Sequence, residues 1–575
     1  MTHNNILLTA CLFAASAAVA ATGGKDTPPK ETGRAVLTLR AYDAKDSLLR
    51  EGSAFFISAE GEAVAPYSLL LGAARVEVVD WKGNRYPLHR VTGANSTADL
   101  ARFTTEGVRK NVCLGLAAGA AEEGTQLFIV PSAADKKAQP EAYAVLSVEP
   151  YGELKYYNVS VPNEEAYFGR PLVNVAGEAV GVVQRNVGKE ATGACAVDAR
   201  YVSRLSVTAA SALNSDLRAL RLPKALPANA VDALTYIYMI PAADSLAKAT
   251  ACEDFIAAWP SLPEGYVQRG TLSAAAGRYA DCDRDFATAV RLAQAATADS
   301  VMKSDAVHYS WSDLIYRAAS ASDSASLPTG WTLQRACDEA RAAYAAQPHT
   351  LYLQQEGNCL FSMKRYAEAF ACYERVTADK SFATPSAYFA AARSLELSGA
   401  DTARVMAWMD STVNAVPKPV TARDAQYYLE RSQRLLRAGQ YRRAVADYNE
   451  YEKAVGTGNL NERFYYLREQ AEVEARMYQQ ALDDIRTAIS RAEMPAPYRL
   501  EEASLLLRVG EFAEASAKAE ALLRDLPESP DCYKIIGIAA GEQGRKSAAL
   551  QNLQRARELG DDSVEIFIEK YQKLK

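Results

Sequence analysis

The sequence predicts a multidomain chain in which an all-β domain is followed by an all-α repeat solenoid, and three observations carry the prediction. Up to about residue 205 the pattern is β-rich and punctuated by glycines. From about residue 230 apolar residues recur at helical spacing, with small residues at fixed offsets and a period close to 34. Between them, Leu222-Pro223-Lys224-Ala225-Leu226-Pro227 places two prolines where they interrupt helix and sheet alike, and reads as a linker.

The first twenty residues read as a secretory signal. Ile6 to Val19 is an apolar run too short to span a bilayer, and Ala18-Val19-Ala20 is a small-x-small cleavage site ahead of Ala21. Leu8-Thr9-Ala10-Cys11 superficially matches a lipoprotein cleavage box, but almost no apolar stretch precedes it. No later run reaches the roughly 18 apolar residues of a transmembrane helix. The expectation is an exported, soluble product, periplasmic or extracellular.

Within the β-rich part, three segments stand out. Gly52 to Ala73 carries Gly-Ser-Ala-Phe-Phe-Ile-Ser and Pro66-Tyr67-Ser68-Leu69-Leu70. Thr97-Ala98-Asp99-Leu100-Ala101-Arg102 follows, and Gly169-Arg170-Pro171-Leu172-Val173-Asn174 leads into Val175-Ala176-Gly177-Glu178-Ala179-Val180-Gly181. In order and spacing they resemble the histidine, aspartate and nucleophile segments of trypsin-like serine proteases of the HtrA type. The resemblance implies a double β-barrel over residues 34–205. It also places Ser68 where the family has its catalytic histidine and Phe168 where it has its serine. Only Asp99 of the triad remains. A serine hydroxyl needs a positioned base, and the base an orienting acid, so Asp99 alone does neither job. The four histidines are His3, His89, His308 and His349, and none falls in these motifs. Ala166 occupies the position that helps to form the family's oxyanion hole, and Arg170 adds bulk where a substrate strand would approach. The resemblance therefore implies an inactive protease homologue.

A net charge of −6 and a pI near 5.6 exclude a strongly basic nucleic-acid binder, since phosphate binding needs a concentrated cationic face. Eight cysteines follow the signal, with no Cys-x-x-Cys pair, so neither a zinc ribbon nor a thiol oxidoreductase site is indicated and no cofactor is implied. Cys113 and Cys195 lie in the same domain, where a disulfide and two buried free thiols are both open readings.

Ser206 to Leu220 is expected as an amphipathic helix closing the β domain, with residues 206–229 forming that helix and the linker. Over 230–561 the recurring triplets are Gly277-Arg278-Tyr279, Lys364-Arg365-Tyr366, Gly439-Gln440-Tyr441, Arg476-Met477-Tyr478, Gly510-Glu511-Phe512 and Gly544-Arg545-Lys546. Each is followed at fixed offset by an alanine or another small residue. Ala336, Ala340 and Ala343 mark a divergent copy, Gly399 and Trp408 a degenerate one, and Val231 to Pro260 is a candidate first repeat. The pattern resembles the tetratricopeptide repeat, in eight or nine copies. Ala318 to Pro328 reads as a loop lengthening one repeat, and residues 562–575 as a final helix capping the stack.

Such arrays line a groove with the first helix of each repeat. On that register Gln354, Asn358, Gln433, Tyr466 and Gln470 are the candidate binding residues: amides can hydrogen-bond a peptide backbone, and a tyrosine offers flat area with a polar tip. A solvated helix face is the plainer alternative for each. The functional expectation is an exported, non-catalytic scaffold that binds a protein or peptide. The alternatives are a divergent trypsin-like serine endopeptidase whose repeats recruit substrate, and an unrelated enzyme for which the sequence offers no motif.

Overall fold

Among the described residues twelve strands, most of them joined through glycine or Asx turns, close into two barrels. A computed structural model of the chain describes residues 27–135, 137–188, 193–295, 302–321 and 326–574. The residues read as a secretory signal lie outside the described residues, as does part of the Ala318–Pro328 segment. The first barrel comprises β1 (Val36–Tyr42), β2 (Leu48–Phe56), β3 (Glu62–Ala65), β4 (Arg75–Val79), β5 (Arg85–Asn95) and β6 (Leu100–Thr105), closed in the order β1-β2-β3-β6-β5-β4. The second comprises β7 (Gln126–Ile129), β8 (Glu141–Tyr151), β9 (Leu154–Val159), β10 (Pro171–Val173), β11 (Ala179–Gln184) and β12 (Cys195–Asp198), closed as β10-β11-β12-β9-β8-β7. Neighbouring strands are antiparallel throughout.

Alternation along the strands sorts the apolar residues into three cores. Leu37, Leu39, Ala54, Phe56, Val78 and Phe103 fill the first barrel. Leu127, Val145, Tyr157, Leu172 and Val183 fill the second. A third cluster, with Phe55, Val64 and Leu100 from one barrel and Phe128, Val182 and Val197 from the other, lies between them. Because successive side chains point to opposite faces, Phe55 turns outward to this shared core while Ala54 and Phe56 turn inward. Every residue of β11 is buried, which explains its continuous apolar reading. At about 1.5–3 kcal/mol per fully buried large apolar side chain, the shared cluster is enough to hold the barrels together.

The segment after the barrels differs from expectation. Ser206 to Leu220 is not one helix but a 3-10 turn, Ala209–Leu213, and a short helix, Ser215–Ala219, broken at Asn214. Asn214 caps the second piece by accepting from the Leu217 N–H at 3.0 Å, a role that asparagine performs well and that ends the preceding turn. The proline-rich stretch is docked rather than free. The Val91 N–H donates to the Pro223 carbonyl at 2.8 Å, and the Ala225 N–H to the Val91 carbonyl at 2.9 Å. Leu217, Leu220 and Leu222 pack into the first barrel's core.

Two helix pairs follow, Ala230–Met239 with Ser245–Ala258 and Pro263–Ala275 with Tyr279–Gln294. Arg90 of β5 forks onto Asp254 of the second helix at 2.6 and 2.7 Å. These pairs belong with the barrels to one compact unit ending at Met302, and a second unit begins at Lys303.

The second unit is all α. Its pairs are Ser304–Ser320 with Leu333–Ala346, Thr350–Ser362 with Tyr366–Ala378, Pro385–Leu397 with Thr402–Asn414, and Gln426–Arg437 with Tyr441–Val455. Glu462–Glu474 with Tyr478–Arg491, Ala496–Val509 with Phe512–Leu522, and Pro530–Glu542 with Lys546–Glu558 complete the array. Ala318 to Ser320 therefore belong to a helix and not to a loop. A final helix, Glu565–Gln572, buries Tyr571 against Gly541.

The recurring triplets are the turns inside the pairs. Gly277, Gly439, Gly510 and Gly544 take positive φ, and so do Lys364 at 62° and Arg476 at 59°. The next N–H then reaches back five residues, as from Arg365 to the Leu360 carbonyl and from Met477 to the Glu472 carbonyl, which is the Schellman closure of a helix end. Small residues on the first helix allow close crossing: a Cβ on Gly270 or Gly357 would come within 3.0 Å of Phe286 or Tyr373. The fold class read from the sequence, a double β-barrel of the trypsin-like kind followed by an all-α array, is the observed one.

Candidate functional site

Gly169 positions the first candidate site. Its φ of +79° and the approach of Pro66 Cδ and the Ser53 carbonyl, at 2.6 and 2.7 Å from where a Cβ would stand, leave room for no side chain. This contact sets the turn bearing Phe168 against the short helix Tyr67–Leu70 that bears Ser68. Asp99, at φ 44° in the turn before β6, completes the group. The three positions aligned with a catalytic triad thus line one cleft of about 550 Å³ in the first unit, together with Leu49, Arg50, Glu165 and Arg185.

Inside the cleft Ser68 and Asp99 are occupied with each other. Both the Ser68 N–H and the Ser68 hydroxyl donate to the Asp99 carboxylate, at 2.7 and 3.0 Å. The Tyr67 N–H donates to the Asp99 carbonyl at 3.1 Å. Burial pushes the Asp99 carboxyl up from its ordinary pKa, and the Ser68 hydrogen bonds oppose that rise. Phe168 is half-buried against the second barrel's core, and the Arg185 guanidinium lies 5.9 Å from its ring centroid.

The backbone around Phe168 is closed as well. Glu165–Tyr167 forms a 3-10 turn, so the Phe168 N–H donates to the Glu165 carbonyl at 3.2 Å and the Tyr167 N–H to the Glu164 carbonyl at 3.0 Å. An oxyanion hole needs such donors free and aimed at a developing charge. Arg170 stacks over Tyr167, 5.6 Å from the ring centroid, and its buried Nε has no partner. His89 is exposed on β5 and does not line the cleft. His308 faces Glu339 at 2.7 Å, and His349 caps helix Thr350–Ser362 by accepting from the Leu351 N–H. The arrangement offers shape, two arginines and an aromatic ring, and no activated nucleophile.

The five array residues all lie on first helices of their pairs. Gln433 and Gln470 are exposed, while Gln354, Asn358 and Tyr466 are half-buried. Asn358 accepts from the Tyr373 hydroxyl at 2.8 Å, which commits its amide oxygen to the partner helix. Tyr466 meets Tyr498 of the next pair edge-on at 5.4 Å, and Gln470 donates to Glu469 at 2.7 Å. No hydrogen bond or ring contact among the described residues joins these five to each other.

Sequence reasoning missed Arg50, Arg185 and Glu165 in the cleft. Arg185 lies just past β11 and Arg50 within β2, and neither belongs to a motif. The one signal in the sequence was Gly169 beside Pro66, whose mutual contact fixes which walls face. The eight cysteines among the described residues are free thiols, Cys113 and Cys195 included. Burial pushes the Cys195 thiol up, and Tyr156 donates to its sulfur at 3.3 Å. Among the described residues no cluster of three or more His, Cys, Asp or Glu is arranged to hold a metal ion, and no helix is long and apolar enough to cross a membrane. No protein-family model matches the chain, and comparison with curated proteins finds no match.

Proposed function

We propose that this chain is an exported, non-catalytic scaffold that binds a protein or peptide, built from a trypsin-like pseudoprotease domain and an array of tetratricopeptide repeats. One observation carries the reading. At the position of a base stands a serine whose hydroxyl donates a hydrogen bond to Asp99, and at the position of a nucleophile stands a phenylalanine whose N–H donates to the Glu165 carbonyl. Acyl transfer has no base and no nucleophile there. The test is direct. Purified protein should neither cleave casein nor take up a fluorophosphonate probe, and labelling abolished by mutating a single serine would overturn the reading.

Partner binding is assigned to the repeats. Exposed amides on successive first helices, Gln433 and Gln470, with Gln354 and the Tyr466 ring nearby in the repeat register, suit an extended peptide. A fragment of residues 303–575 is the better test piece than one cut near residue 228, which would sever the Arg90–Asp254 fork. Calorimetry with a partner found by affinity capture should give this fragment most of the full chain's affinity. If residues 21–302 bind as tightly while the fragment does not, the recognition module is the barrel unit.

A further inference from the structure

We propose that a second cleft of the first unit is a binding site for an apolar carboxylate: the free carboxylate of an apolar chain-terminal residue or of a medium-chain fatty acid. The cleft, about 510 Å³, lies where the segment leaving the first barrel passes helices Ala230–Met239 and Ser245–Ala258. It is independent of the former catalytic centre and of the repeat groove, and does not rest on the scaffold reading.

Lys224 is the first argument. Its ammonium is half-buried, donates to the Leu220 carbonyl, and makes no ion pair among the described residues. Desolvation pushes its pKa down, with Asp244 opposing. The side chain has no easy escape, because the residues on either side of it, Pro223 and Ala225, are both hydrogen-bonded to Val91. A half-buried cation that no ion pair holds is only partly compensated by Asp244, so a docked anion would gain from it more than from an exposed lysine.

The lining supplies the rest. Arg218 and Arg221 line the same cleft without ion pairs among the described residues, so three cations face the single carboxylate of Asp244. The rest of the lining is mostly apolar: Pro223, Ala247, Ala251 and Leu246, exposed at 79 %, over the buried Leu220, Leu222 and Tyr236, with Thr250 the one further polar side chain. A small inorganic anion would use the cations and leave this wall empty. A neutral apolar molecule would leave Lys224 uncompensated. A carboxylate on an apolar tail satisfies both, and the volume falls in the range of small-ligand sites.

Calorimetric titration of the full-length protein tests the assignment with four probes: octanoate, acetyl-Ala-Ala-Leu with a free carboxylate, its C-terminal amide, and inorganic phosphate. We expect at least one carboxylate to bind, and the amide and phosphate to bind about tenfold more weakly or not at all. Lys224→Met, which keeps the apolar stem, and Arg221→Gln, at an exposed position, should each weaken the carboxylate about fivefold or more with unchanged circular dichroism. Preference for the peptide identifies a chain terminus as the source, and preference for octanoate identifies a lipid-derived acid. The proposal is overturned if neither carboxylate binds up to about 5 mM, if phosphate or the amide matches them, or if Arg221→Gln and Lys224→Met both bind as the parent does.

Discussion

Two buried glutamates should make the helical array less stable as pH rises. Glu469 is 0 % exposed and Glu472 is 3 % exposed, and each keeps one carboxylate oxygen buried without a partner. Arg468 comes only within 4.0 Å of Glu472, because it is already forked onto Asp484 at 2.6 and 2.8 Å and bonded to Glu452 at 2.6 Å. Burial therefore dominates, with Asp484 and the neighbouring acids adding to it, and pushes Glu469 up to about 7 and Glu472 up to about 8. The sign follows from linkage. Below an ordinary glutamate pKa both states are protonated and nothing is lost. Between that value and the raised one the unfolded chain releases protons that the folded chain keeps, so stability falls with pH. At about 1.4 kcal/mol per tenfold difference in protonation, the loss is on the order of 3 kcal/mol per group by pH 8. Thermal melting of residues 303–575 followed by circular dichroism, with hydrogen exchange over Glu462–Glu474, should show lower stability at pH 8.5 than at pH 5.5. Glu469→Gln with Glu472→Gln should flatten that dependence and raise the melting point at pH 8.5. A parent melting point that is flat or rises over this interval, or a double variant with the parent's slope, would refute the reasoning.

Three further expectations concern single positions. Lys364→Gly and Arg476→Gly should each stabilise the array by about 1 kcal/mol, since both hold a left-handed turn that glycine adopts freely; an unchanged urea midpoint would show that the turns carry no strain. Phe168→Ser should cost about 1–2 kcal/mol rather than the larger loss of a fully buried ring, because the ring is half-buried, and should restore no hydrolysis, with casein turnover as the check. Gly169→Ala should cost about 2 kcal/mol or more, since its Cβ would meet Pro66 and the Ser53 carbonyl; a melting point equal to the parent's would mean that the turn can move away.

The barrels were legible because their glycines and apolar residues are local signals. The Ser68, Asp99 and Phe168 segments were singled out by their resemblance to protease segments, and the three side chains line one cleft. What sequence could not supply was the occupancy of each donor. That the Phe168 N–H is consumed by Glu165 follows from a three-residue 3-10 turn whose sequence, Glu-Ala-Tyr, carries no turn signature. The docking of Leu222 to Pro227 was hidden for a related reason. Prolines mark where regular structure ends, but the carbonyl of Pro223 remains an acceptor, and only the folded barrel shows that Val91 uses it.

In the array the small residues and turns were visible, and the charges beside them were not. Residues sixteen apart face each other across a pair, so two adjacent columns of the repeat do different work. One sets a small residue against a large one, as Gly537 against Leu553. The column before it sets Arg269 against Asp285, Arg431 against Asp447 and Arg468 against Asp484. In the pair Ala496–Val509 with Phe512–Leu522 the charges are exchanged, Glu502 accepting from Lys518 at 3.0 Å. The exchange indicates that the requirement is opposite charge at that spacing, a register device rather than a particular side chain, since a half-buried pair adds little net stability but is costly to break. Glu469 stands in the small-residue column, where other pairs have Gly270, Gly357 or Ser432. It therefore puts a fully buried acid where the other pairs have a small residue, which is why this repeat is expected to answer to pH.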